Sequence, residues 1–162
     1  MPKLVQQEAA LSILRAADLI SQESASVMKP FDLTAPQFNV LRILRGSPDG
    51  LPCGQIGERM INRDPDITRL LDRMEARNLI LRQRGEQDRR VVTARISSEG
   101  LKLLERVDPV VHACHLHQFE DFSDAQLRQI IELMGNFLKS RGYAAALARN
   151  RLSGINNENT SS

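Results

Sequence analysis

In residues 67–77, Ile67, Leu70, Leu71 and Met74 recur at i, i+3, i+4 and i+7. That spacing puts them on one stripe of an α-helix and commits the stripe to a core. The intervening residues are different in kind. Thr68, Arg69, Asp72 and Arg73 fall on the flanks or the opposite side, with Arg77 near the end. Asp64 suits an N-cap, and Pro65 is harmless in a first turn. A short helix with a core face and an Arg/Thr face suits the major groove. Arg can pair with guanine edges or phosphates, and Thr can reach a base edge or a thymine methyl.

Two β-rich runs follow: Ile80-Leu81-Arg82-Gln83-Arg84 and Val91-Val92-Thr93-Ala94-Arg95-Ile96. Between them lies Gly85-Glu86-Gln87-Asp88-Arg89-Arg90, a hairpin tip with two adjacent arginines. A β-hairpin behind a groove-reading helix is a wing. An Arg at its tip can enter a narrow minor groove, where negative potential is focused. Charge distribution points the same way. Residues 55–95 hold ten Arg and no Lys against seven Asp or Glu, 10 − 7 = +3, whereas the whole chain is only +2. A solvated charged surface is the plain alternative, but clustering on one helix face and one hairpin tip favours a nucleic-acid footprint.

The order Thr68-Arg69-Leu70-Leu71-Asp72-Arg73-Met74-Glu75, then Asn78-Leu79-Ile80-Leu81-Arg82, then Asp88-Arg89-Arg90, then Ile96-Ser97-Ser98-Glu99-Gly100 resembles the MarR family of winged-helix transcriptional regulators. The family pattern has Thr-Arg in the recognition helix, an Asp-basic-Arg wing tip and a Leu-Thr-x-x-Gly exit. This chain keeps the first two and has Ile96-Ser97 for Leu-Thr. It carries Asn78 where the family usually has Gly, and Asn also tolerates a left-handed C-cap. The resemblance spans roughly residues 4–147.

The resemblance implies a mainly α fold with a small β-wing. A winged helix-turn-helix lobe would occupy residues 34–98. A helical dimerisation region would come from the N-terminal helix, residues 1–33, and from C-terminal helices, residues 99–152. It further implies a homodimeric, ligand-responsive repressor on a pseudo-palindromic operator. Thr68, Arg69 and Arg73 would contact double-stranded DNA with Asp66 beside them, Arg90 and then Arg89 would serve the wing, and Asp88 would orient those arginines. A small aromatic or phenolic effector would bind between the dimer helices and the DNA-binding lobe. The contrasting reading is a winged-helix protein-interaction module without specific DNA binding.

The rest of the chain fits around this lobe. Residues 4–28 read as a long amphipathic helix ended by Lys29-Pro30, with Ile13, Ala17, Ile20 and Val27 on one stripe. Thr34-Ala35-Pro36-Gln37 is a capping box, and the helix after it should bury Phe38, Leu41 and Leu44. Leu51 suits a one-strand brace for the wing sheet, and residues 52–60 the first helix of the helix-turn-helix, with Gly57 permitting close approach. Ser97 or Ser98 should cap a helix running to about residue 118, with Pro109 expected to kink or break it. Ser123-Asp124-Ala125-Gln126 is a second capping box. Behind it Leu127, Ile130, Ile131, Met134 and Leu138 should be buried, Gly142 is placed to bend the helix, and residues 153–162 read as a disordered tail.

Two further clusters invite sensing roles. His112-Ala113-Cys114-His115-Leu116-His117 is rich in ligands, and His112 with His115 shares a helix face at i, i+3. Surface or interface histidines are the plainer account. Cys53 lies near a helix N-terminus, where the dipole lowers a thiol pKa. A small packed residue is the plainer account there too. Two cysteines make no disulfide framework, which points to a reducing compartment, the cytoplasm. No cofactor and no catalytic motif is evident, and no apolar run approaches a membrane span.

Overall fold

The computed structural model describes residues 2–61, 66–85 and 91–143. The helices are α1 (Pro2–Met28), α2 (Ala35–Arg45), α3 (Cys53–Arg59), α4 (Ile67–Ala76), α5 (Ser98–Gln118) and α6 (Asp124–Ser140). The strands are β1 (Leu51–Pro52), β2 (Ile80–Arg84) and β3 (Val92–Ile96). A 3-10 turn, Lys29–Phe31, joins α1 to α2.

The core belongs to the lobe. From α2, Phe38, Val40, Leu41, Ile43 and Leu44 are buried, a broader face than the three positions expected. They meet Ile56 of α3, Leu70, Leu71 and Met74 of α4, Ile80 and Ala94 of the sheet, and Leu104, Val107 and Val111 of α5. Fully burying each such side chain stabilises by roughly 1.5–3 kcal/mol, so this cluster dominates the energetics of the lobe. Thr34 caps α2 through the capping box: Gln37 N–H donates to Thr34 Oγ1 at 3.4 Å, and Thr34 N–H to Gln37 Oε1 at 3.0 Å.

The sheet runs in the order β1-β3-β2, all antiparallel. Leu51 does brace the wing, pairing with Ala94. Ile80, Arg82 and Arg84 oppose Ile96, Ala94 and Val92, so one strand face is fixed toward the core by Ile80 and Ala94. Gly85 N–H donates to Val91 carbonyl at 2.9 Å and closes the hairpin base.

Several expectations are corrected. Helix α4 begins at Ile67 with Asp66 as its N-cap, whereas Asp64 and Pro65 lie outside the described residues. Gly57 is not a contact point of special closeness, because a Cβ there would meet Ile67 only at ordinary distances of 3.8–3.9 Å. The glycine that matters sterically is Gly100, where a Cβ would overlap the Leu79 carbonyl oxygen. Helix α5 continues through Pro109 without a break, and Ser97 caps it, accepting from Gly100 N–H at 3.0 Å. Helix α6 stops at Ser140, with Gly142 beyond it at φ +82° and Tyr143 N–H donating to Leu138 carbonyl at 3.0 Å; the expected tail, residues 153–162, lies outside the described residues. Helix α6 has no buried residue, so Leu127, Ile130, Ile131, Met134 and Leu138 are not covered by the described residues, contrary to expectation. Its Ile130, Ile131, Leu133 and Phe137 are exposed, and so are Leu4, Leu11, Ile13, Leu14 and Leu19 of α1.

Candidate nucleic-acid interface

Helix α4 is a divided cylinder. At 100° per residue, Leu70, Leu71, Met74 and half-buried Ile67 cover one arc, and Thr68, Arg69, Asp72 and Arg73 an exposed arc of about 140° on the other. The stripe inferred from sequence is therefore the buried one, and the Thr/Arg face is turned to solvent. Asp66 starts the helix. Its Oδ1 accepts from Arg69 N–H at 3.3 Å, and its Oδ2 lies 3.1 Å from Arg69 Nε. A carboxylate at this end also meets the positive pole of the helix dipole. Asp66, grouped by sequence with the DNA contacts, thus has a structural task in orienting Arg69.

The other end of α4 closes on Asn78, whose φ is +56°. Leu79 N–H donates to Met74 carbonyl at 2.9 Å and Asn78 N–H to Glu75 carbonyl at 2.8 Å, the paired bonds of a left-handed helix stop. The wing exit is fastened to the same stop. Ser97 Oγ donates to Asn78 carbonyl at 2.5 Å, and Ser97 N–H to Leu79 carbonyl at 3.1 Å. Arg77 reaches the opposite way, donating to Asp32 carbonyl at 2.6 Å beside the joint between α1 and α2. From the sequence Ser97 has only a capping task and Arg77 none, because the contacts to Asn78 and Asp32 cross between elements distant in the chain.

Arg82 was also missed. From β2 it donates through Nε and Nη2 to Glu75 Oε2 at 2.8 and 2.5 Å, and through Nη2 to Asp72 Oδ1 at 2.6 Å. The two bonds to Glu75, with ion pairing to both carboxylates behind them, raise its pKa against the opposing effect of burial. The available signal was alternation: Ile80 faces the core, so Arg82 shares that face and needs a partner.

The remaining candidates stand apart. Arg89, Arg90 and Asp88 lie outside the described residues. Cys53, half-buried at the start of α3, has its thiol pKa raised, chiefly by burial and further by Glu75 and Asp72, against the lowering effect of Arg82 and a backbone hydrogen bond. The direction is opposite to that expected from its helix N-terminus. His112 and His115 lie exposed on α5, and His115 has its pKa lowered by partial desolvation, then by Arg42 and His112. Among the described residues no three His, Cys, Asp or Glu come together as a metal site would require.

A family profile described as MarR matches residues 33–92. The chain is 38% identical to a MarR transcription factor from Planctomyces limnophilus, covering 79% of this chain and 93% of that one with a TM-score of 0.65. The chain belongs to the MarR family. Its members are DNA-binding transcriptional regulators, and so is this one. Another MarR structure, a mutant from Escherichia coli complexed with operator DNA, shares the fold at a TM-score of 0.73 and 19% identity, covering 80% of this chain and 92% of that one. The homoprotocatechuate degradative operon repressor of Escherichia coli is 24% identical over 79% of this chain and 86% of its own length. The fold is the winged helix of that family, with the small antiparallel sheet as its wing.

Proposed function

We propose that the protein is a homodimeric MarR-type repressor that binds a pseudo-palindromic operator and releases it on binding a small aromatic or phenolic effector. The observation that carries the reading is the exposed arc of Thr68, Arg69 and Arg73 on a helix whose other face is locked in the core. Those side chains contact DNA in the major groove, and Arg90, with Arg89, contacts the flanking minor groove, Asp88 holding the pair in place. Two recognition helices related by a two-fold axis would address half-sites about 34–36 Å apart. The exposed apolar residues of α1 and α6 support dimerisation through residues 1–33 and 99–152, outside the lobe at 34–98. The name of the homoprotocatechuate repressor supports repression as the output. Among the described residues no helix is long and apolar enough to cross a membrane. The protein acts in the cytoplasm, where its DNA is, and catalyses no reaction.

The deciding experiment titrates purified protein against the duplex upstream of its own gene, across a range of salt, with random duplex as competitor. Tight binding that survives competitor, with affinity falling steeply as salt rises, is the expected result. Absence of binding to any duplex at low salt would overturn the reading in favour of a protein-docking module.

A further inference from the structure

We propose that Arg82 is a positioning residue for DNA binding, a clamp that sets the recognition helix against the wing and offsets one of the two carboxylate charges beside the DNA-facing arginines. The proposal rests on the reading of α4 as the DNA-contacting helix.

The geometry is that of a deliberate bridge between two elements. Glu75 accepts three hydrogen bonds from one residue: Arg82 backbone N–H to Oε1 at 3.2 Å, and Arg82 Nε and Nη2 to Oε2 at 2.8 and 2.5 Å. The same Nη2 meets Asp72 Oδ1 at 2.6 Å. The Arg82 side chain is 21% exposed, against 39% for Glu75 and 52% for Asp72, so the bonds to Glu75 are the better shielded from water. Asp72 and Glu75 are three apart on α4 and flank Arg73. Arg82 therefore ties two positions about one turn apart on the reading helix to the middle of β2. Its planar fork is what permits this, since a lysine ammonium has no fixed pair of donors.

The bridge has two consequences. The hairpin that carries the wing tip and the helix that enters the groove are held at one relative setting, so both can engage DNA without first being ordered. Asp72 and Glu75, which alone would repel phosphates beside Arg69 and Arg73, have one of their two negative charges offset by Arg82, leaving 1 − 2 = −1. Arg82 does this without presenting its own charge to DNA.

The test uses the full chain and a duplex selected by the wild-type protein from a randomised library. Failure to select any duplex would sink the DNA-binding reading itself and the clamp with it. With a selected duplex in hand, affinity is measured against salt for R82M, R82K and E75Q. The clamp predicts that R82M and R82K both bind about tenfold more weakly or worse. The salt slope should stay at the wild-type value, since no phosphate contact is lost. E75Q should also weaken binding, although it removes a negative charge from the DNA-facing side. Should R82M fail to fold by circular dichroism, E75Q on the partly exposed end of α4 carries the test. The proposal falls if R82M lowers the slope by about one ion per subunit, which would make Arg82 a phosphate ligand. It falls equally if R82K matches wild type or E75Q binds more tightly.

Discussion

Asn78 shows how a single backbone angle can hold a reading helix in place. With φ at +56° it occupies the left-handed region, and two backbone bonds and the Ser97 hydroxyl converge on it. A β-branched residue there would be strained by about 1–2 kcal/mol, whereas glycine fits without strain. N78V should lower the urea midpoint, and N78G should leave it nearly unchanged. Cys53 is the opposite case, a residue whose surroundings keep it inert. Burial raises its thiol pKa, so the thiol stays protonated at neutral pH. The folded pKa exceeds the unfolded one, so its contribution to stability is intact below the unfolded value and is lost as pH rises through the folded value. Alkylation by iodoacetamide at pH 7 should be slower than for an unperturbed thiol. Rapid modification that abolished DNA binding would mean that the thiol is a sensor after all.

At the scale of elements, α4 depends on its first residue. D66A removes the acceptor for Arg69 N–H and should cost about 1 kcal/mol by chemical denaturation, most of it from the cap. The exposed pairing with the Arg69 guanidinium adds little to that. Helix α4 also marks the limits of reading a sequence. The 3.6-residue period exposed its core stripe, because burial and periodicity coincide in one short helix. Its start was placed two residues early, because Asp64-Pro65 and Asp66 are both good beginnings and only packing of Ile67 on the lobe separates them. The capping boxes at Thr34 and Ser123 were legible because each is closed by local bonds within four residues. Arg82 and Arg77 were not, because their partners depend on how α4 crosses β2 and approaches Asp32. The Gly100 requirement was equally hidden, since the obstacle is a carbonyl twenty-one residues earlier, 100 − 79 = 21.

The whole molecule has two characters. The lobe is closed around its own core, and α1 and α6 keep apolar faces open to their surroundings. The period of α6 foretold an apolar stripe correctly but could not say that the described residues leave it uncovered. L133E, at a residue 64% exposed, should therefore leave the lobe folded while shifting the sedimenting species from dimer to monomer. Unchanged sedimentation would place the interface elsewhere. Helix α5 joins the two characters, with Leu104, Val107 and Val111 sunk in the lobe and its far end, at Gln118, donating to Ile20 carbonyl of α1. Pro109 sits between Val107 and Val111, next to Asp108, which pairs with Arg45 of α2. A proline supplies no amide to the turn before it, so the Glu105 carbonyl lacks its usual helical bond. From Pro109 to the end of α5 is about 13 Å at 1.5 Å per residue, and a tilt of about 5° there carries the tip roughly 1 Å. A bend of α5 at Pro109 would thus swing its Gln118 end along the N-terminal helix, with core residue Val111 riding on the same arm.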